Sequence, residues 1–174
     1  KGKQDAQSQQ GMNSGESEET AKQEEKKAQL AEDKFKVALK EEIGQGLIDI
    51  ERKDDKVIIT VGSGGAFKSG SADLTGKAKK IMAKIAEVNE KGRSEILVSG
   101  HTDNKPLTFG SIYRDNWDLA AARSSSVVQE LASSGKLKPD RMKAISYGET
   151  QPVASNEDIK GREKNRRIEI EINY

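Results

Sequence analysis

Hydrophobic positions are sparse at the start of this chain and periodic after it. From Lys1 to Thr20 the segment KGKQDAQSQQGMNSGESEET holds one apolar residue larger than alanine, Met12. Such a stretch cannot bury enough apolar surface to offset the entropy of ordering it, so residues 1–20 are expected to be a flexible linker. From Ala21 strong helix formers take over, and AKQEEKKAQLAEDKFKVALKEEI predicts a charged helix to about Ile43. Its narrow apolar stripe is read through Leu30, Lys34, Val37 and Glu41, with Phe35, Leu39 and Ile43 close by. Residues 21–46 are therefore expected to form a tether that leans on the domain, switches, or pairs with a twin.

After Gly44 and Gly46 the periods become those of a folded domain, residues 47–174. LIDIERK and KVIITVG, joined by Asp54 and Asp55, predict a hairpin. SGSADLTGKAKKIMAKIAEVNEKG sets Leu74, Ala78, Ile81, Met82, Ile85 and Val88 at helical spacing. SEILVSG predicts a strand. RDNWDLAAARSSSVVQELASSG predicts a second helix, buried through Trp117, Ala120, Ala121, Ser124, Val127, Val128 and Leu131. MKAISYGE is a further strand, a polar loop with Pro152 follows, and RRIEIEINY alternates Ile168, Ile170 and Ile172 with Glu169 and Glu171. The order β-β-α-β-α-β-β predicts an α+β domain: a mixed parallel and antiparallel sheet, two helices on one face, and antiparallel hairpin-like pairs at both ends.

Charge narrows the range of functions. Thirty basic residues against twenty-nine acidic ones leave a formal charge of +1, without the positive field that nucleic acid binding requires. Cysteine is absent, which excludes disulfides and thiolate zinc sites. No apolar run approaches the length of a membrane span or a signal peptide core, and the chain opens on Lys1, so it is expected to be a soluble fragment of something longer.

The chemistry worth weighing lies in SGHTDNKP, which contains the only histidine, His101. Zinc needs three or four ligands, and His101 with Asp103 falls short. Hydrolysis would need a serine in a nucleophile elbow, and no GxSxG occurs. His101 is expected to shape the turn at a strand end through hydrogen bonds to backbone groups. Asp103 is presented by that turn, while Arg123 interrupts the small-residue run LAAARSSS. The two suit the ammonium and carboxylate of an amino-acid terminus, or else form an internal salt bridge pinning loop to helix.

SGHTDN, NWDLAAARSSSVV, SYGETQP and REKNRRIEIEI occur in that order and resemble the peptidoglycan-binding domain of the OmpA-like family. The family pattern is G-H-T-D, then N-x-x-L-S-x-x-R-A, a glycine-containing strand, and N-R-R before a strand. Ala120 and Ser124 depart from it by small swaps, and the match covers about Gly65 to Tyr174. GAFKSGSADLT and the long loop NKPLTFGSIYRD are similar to the flagellar stator B subunit (MotB and PomB type) within that family. The resemblance implies a non-catalytic periplasmic wall anchor without metal or cofactor. Asp103 and Arg123 would bind diaminopimelate of the stem peptide, flanked by Thr102, Asn116 and Leu119, with one of Arg166 and Arg167 at the site. It also implies a homodimer, a transmembrane helix upstream in the inner membrane, and a membrane-embedded stator A subunit with other flagellar structures as partners. The alternatives are another envelope protein of this fold, of outer-membrane or lipoprotein type, and a peptidoglycan hydrolase.

Overall fold

The computed structural model describes residues 5–174, with side chains from Gly15 onward; Lys1–Gln4, part of the expected linker, lie outside the described residues. Helix α1 (Asp5–Ala38) is followed by one turn, α2 (Lys40–Gly44). The hairpin β1 (Ile48–Lys53) and β2 (Lys56–Gly62) turns through Asp54, at φ 54°. A short α3 (Ser63–Ala66) leads to α4 (Gly76–Asn89), whose first turn is capped by Thr75 Oγ1 accepting from Ala78 N–H. Then come β3 (Glu95–His101), α5 (Asn116–Ser133), β4 (Met142–Gly148), α6 (Ile159–Asn165) and β5 (Arg167–Asn173).

The sheet order is β1-β2-β5-β3-β4, with β3 and β4 parallel across the α5 crossover and every other pair antiparallel. The mixed sheet agrees with the pattern in the sequence; the hairpin expected at the C-terminal end does not form. β5 instead inserts between β2 and β3, with Ile170 opposite Ile59 on one side and Val98 on the other. The connection from Glu149 to Arg166 is too long for a tight turn, and it carries α6 where the sequence pattern predicts a polar loop. Asp158, accepting from Gly161 N–H at 2.6 Å, starts that helix.

One face of the sheet is dry. Val57, Ile59, Ile96, Val98, Ile168, Ile170 and Ile172 meet Ile81, Met82 and Ile85 of α4 and Val127 and Leu131 of α5 there. Trp117 and Ala121, expected inside, are exposed; Leu119 and Arg123 are buried in their stead, because α5 turns its small residues to β3. At Gly100 the approach is so close that a Cβ would sit 2.3 Å from the Ala120 carbonyl oxygen.

α1 joins the same layer. It runs unbroken across Thr20 and Ala21, where the pattern placed the change from linker to helix. Its buried positions are Ala28, Ala31, Phe35 and, just past its end, Leu39, while Leu30 and Val37 of the expected stripe face solvent. The 3–4 spacing of the alanines with Phe35 and Leu39 wins because small side chains let the helix lie close against β1, β2 and α4. From Gly15 to Gln23 every side chain is exposed. Among the described residues, no helix is long and apolar enough to cross a membrane.

Candidate functional site

Strand β3 delivers the chain to a loop whose first residues are bound to the sheet. Thr102 N–H donates to the Gly148 carbonyl at 2.8 Å, and its hydroxyl donates to the Asp103 carbonyl at 2.8 Å. Asn116 Nδ2, at the start of α5, donates to the carbonyls of Asp103 and Lys105 at 3.3 and 3.1 Å. Thr102 and Asn116 thus fix the backbone that carries Asp103. The carboxylate is buried; Oδ1 accepts from Lys105 N–H at 2.9 Å, and Oδ2 lies 2.6 Å from Arg166 Nη1.

Arg166 reaches that position because α6 ends on it. Asn165 is completely buried and ties the preceding loop together, its Oδ1 accepting from Val153 and Ala154 N–H and its Nδ2 donating to the Ala154 carbonyl and Asn156 Oδ1. Arg167 turns away from Asp103. It is buried, donates to the carbonyls of Asn165 and Gln151, and pairs with Glu169 at 3.3 Å. The adjacent arginines therefore occupy different environments, as neighbours along an extended chain must.

Arg123 comes from the second turn of α5 and is 7% exposed. Its Nε donates to the Ser71 carbonyl at 2.9 Å, and its guanidinium carbon lies 4.9 Å from the centre of the Phe67 ring. Burial lowers its pKa and the nearby Arg166 charge adds to that, against an opposing influence of Tyr113. Among the described residues no carboxylate pairs with Arg123, and only its Nε finds a hydrogen-bond acceptor. The internal Asp103–Arg123 salt bridge, one of the two alternatives left open by the sequence, is not formed: Asp103 pairs with Arg166. Asp103 is thus taken by Arg166, and the Arg123 guanidinium, which no carboxylate pairs with among the described residues, is receptive to an anion.

Leu119 is buried in the α5 interface. Phe67, Ser71 and Asn165 are site neighbours that the sequence pattern does not mark. Phe67 and Ser71 fall within GAFKSGSADLT and Asn165 opens N-R-R, so their motifs were visible while their contacts were not.

His101 is buried on the other face of the sheet, stacked on Tyr147 at 5.2 Å. Its ring bonds side chains, not the backbone groups expected: Nε2 is 3.1 Å from both Ser99 Oγ and Glu169 Oε2, while Nδ1 has no hydrogen-bond partner among the described residues. A serine hydrolase needs its serine and carboxylate on opposite ring nitrogens, so this cluster lacks triad geometry. The His101 hydrogen bond, more than any other influence, holds the Glu169 carboxyl down from 4.5 to about 2; burial opposes it and the Arg167 charge assists. A depressed carboxyl stabilises the fold above its unfolded pKa and loses that contribution as pH falls through the folded one. Glu169→Gln should therefore melt below wild type at neutral pH, with the gap closing between pH 4.5 and about 2 in thermal scans. A gap unchanged over that range would show that Glu169 contributes nothing linked to pH.

The OmpA family profile matches residues 66–166. The uncharacterized protein YtxE of Bacillus subtilis (strain 168) is 31% identical over 154 residues, 88% of this chain and 63% of that protein. Motility protein B of the same organism is 33% identical over 127 residues, 72% of this chain and 48% of that protein. The chain thus spans between about half and two thirds of the length of these relatives. Among solved structures, the cell wall anchor of the T6SS from Pseudomonas aeruginosa superposes with a TM-score of 0.72 at 29% identity, covering 80% of this chain and 96% of that one.

Proposed function

Since this chain belongs to the OmpA family, we propose that its domain is a non-catalytic anchor that binds the diaminopimelate of peptidoglycan stem peptides. The observation that carries this is the buried Arg123 guanidinium, which pairs with no carboxylate among the described residues and feels the charge of Arg166 in the Asp103–Arg166 pair. Diaminopimelate presents a carboxylate and an ammonium on one carbon. Arg123 takes the carboxylate in a charge-assisted pair, and Asp103, held on its backbone by Thr102 and Asn116, takes the ammonium. Arg166 is the N-R-R arginine at the ligand; Arg167 supports the loop behind it, and Leu119 packs α5.

Similarity to motility protein B supports a stator B subunit as the whole protein. On this reading the domain stands in the periplasm as one of two copies, joined upstream to an inner-membrane helix and a membrane-embedded stator A subunit. Similarity to the anchor of the T6SS supports a second reading, in which the same domain fixes another envelope assembly. A transmembrane helix carrying an aspartate upstream of Lys1 would decide for the stator; a lipidated cysteine or a β-barrel would decide against it.

Incubation with purified sacculi tests the anchor itself. The protein should pellet with the sacculi and release no soluble fragments. Release of muropeptides would establish a hydrolase, and protein left in the supernatant would remove the wall from the account.

A further inference from the structure

The end of the sheet away from Asp103 carries a groove of its own. Strand β3 leaves that groove at Glu95 and ends beside the site at His101, while β5 starts next to Arg166 and reaches the groove at Asn173. An extended strand of this length sets the two places roughly 20 Å apart. The groove encloses about 660 Å³. One wall is a single ridge of α1, formed by Lys27, Leu30, Ala31 and Lys34, and the other is the turn after α4, with Lys91 and Arg93. The helical rise spaces Lys27 and Lys34 about 10 Å apart along it.

The charge of this groove is unbalanced. Lys27, Lys34, Lys91 and Arg93 are exposed, and among the described residues none of them pairs with a carboxylate. Of the described residues that line the groove only Glu95 is acidic, and Lys143 already holds it at 2.6 Å. A fifth cation lies underneath. Arg141 donates from Nε to the Ser94 carbonyl and from Nη1 to the Asn89 carbonyl, both at 3.1 Å. Its Nη2 is buried without a hydrogen-bond partner among the described residues, close enough below Gly92 that a Cβ there would lie 3.4 Å from it. Cations held together between walls of low dielectric repel one another and focus their field into the concavity, so an anion entering it relieves all of them.

The shape selects among anions. Cations stand on both walls, and the apolar side chains of Leu30, Ala31 and Val88 lie among them. A flat lipid leaflet would meet only the rim, and a single small anion would engage only one wall. A chain whose phosphates repeat along a carbon backbone meets both: its charges face the ammonium and guanidinium groups, and its methylene links lie on the apolar floor. We propose that this groove binds a linear phosphodiester polymer, held by Lys27 and Lys34 on one side and by Lys91 and Arg93 on the other. Asp103 and Arg123 take no part in it, so the domain has a polyanion grip at the opposite end of the sheet from the stem-peptide site.

The probe is poly(glycerol phosphate), titrated into the full chain by calorimetry. Binding should weaken about 50-fold between about 50 and about 200 mM salt, as counterion release at roughly four phosphate contacts requires. Lys27→Glu with Lys34→Glu, and separately Lys91→Glu with Arg93→Glu, should each weaken it by about tenfold or more at the lower salt. All four side chains are exposed, so thermal melts should stay close to wild type. Polyglutamate of matched charge and phosphatidylglycerol vesicles are the competing probes, and either one binding as tightly as the polymer would overturn the assignment in favour of an acidic protein or a lipid surface. No binding of the polymer at the lower salt, or unchanged binding by both double variants, would overturn the groove itself. Loss in one pair alone would put the anion on a single wall and overturn it likewise. If a double variant does not fold, the salt dependence and the ranking of the three probes with the wild type decide.

Discussion

Arg123→Ala is expected to abolish binding to sacculi, and Asp103→Ala to do the same, each with the domain still folded. Removing one partner of a buried charge-assisted contact costs about 2–5 kcal/mol, which corresponds to a loss of roughly 30-fold to several thousand-fold. The fold tolerates both changes for different reasons. Arg123→Ala removes a buried cation that lacks an anionic partner among the described residues, and Asp103→Ala leaves Arg166, whose side chain is 38% exposed, free to take up water. Arg123→Lys keeps the charge without the planar fork and should recover only part of the binding. Co-sedimentation with sacculi measures the effect, and a thermal melt of each variant checks the fold. A variant that pellets like wild type would refute the assignment of its residue. Arg167→Ala provides a contrast: it should lower the melting temperature, because the Gln151 and Asn165 carbonyls and Glu169 would each lose a donor.

Phe35→Ala is expected to destabilise the domain by about 3–5 kcal/mol in urea unfolding, while Leu30→Ala and Val37→Ala stay within about 0.5 kcal/mol of wild type. Phe35 is fully buried against the sheet and α4; Leu30 and Val37 are 62% and 78% exposed on the opposite side of the helix. Equal small effects at all three positions would mean that α1 does not share the core. The outcome bears on the tether. Melting α1 past Ala28 would uncover Phe35 and Leu39, so any added reach comes at low cost only from the exposed stretch before Ala28. Lys84 reinforces the junction from α4, binding the Glu42 carboxylate at 2.5 Å.

The sequence by itself determined the elements with strong periods and the residue types that meet at the candidate site. Ile168, Ile170 and Ile172 alternate with glutamates, and alternation with that contrast fits only a strand with one dry face. Ala78 through Val88 recur at helical spacing, and GHTD and NRR hold the Asp103 and Arg166 that pair in the fold. Which residues touch was not legible, because adjacent arginines have identical side chains and only the end of α6 aims Arg166 at Asp103 and leaves Arg167 behind it. The placement of β5 between β2 and β3 was likewise decided by the sheet: an amphipathic strand can pair with either of two partners, and between β2 and β3 its Ile168, Ile170 and Ile172 lie beside Val61, Ile59 and Val57 on one side and Gly100, Val98 and Ile96 on the other. α1 followed the same rule. Leu30 and Val37 carry more hydrophobicity than Ala28 and Ala31, yet the alanines face the sheet with Phe35 because they allow the helix to approach it. Local pattern sets what each segment can become, whereas side-chain volume at the contact decides which of its faces is buried.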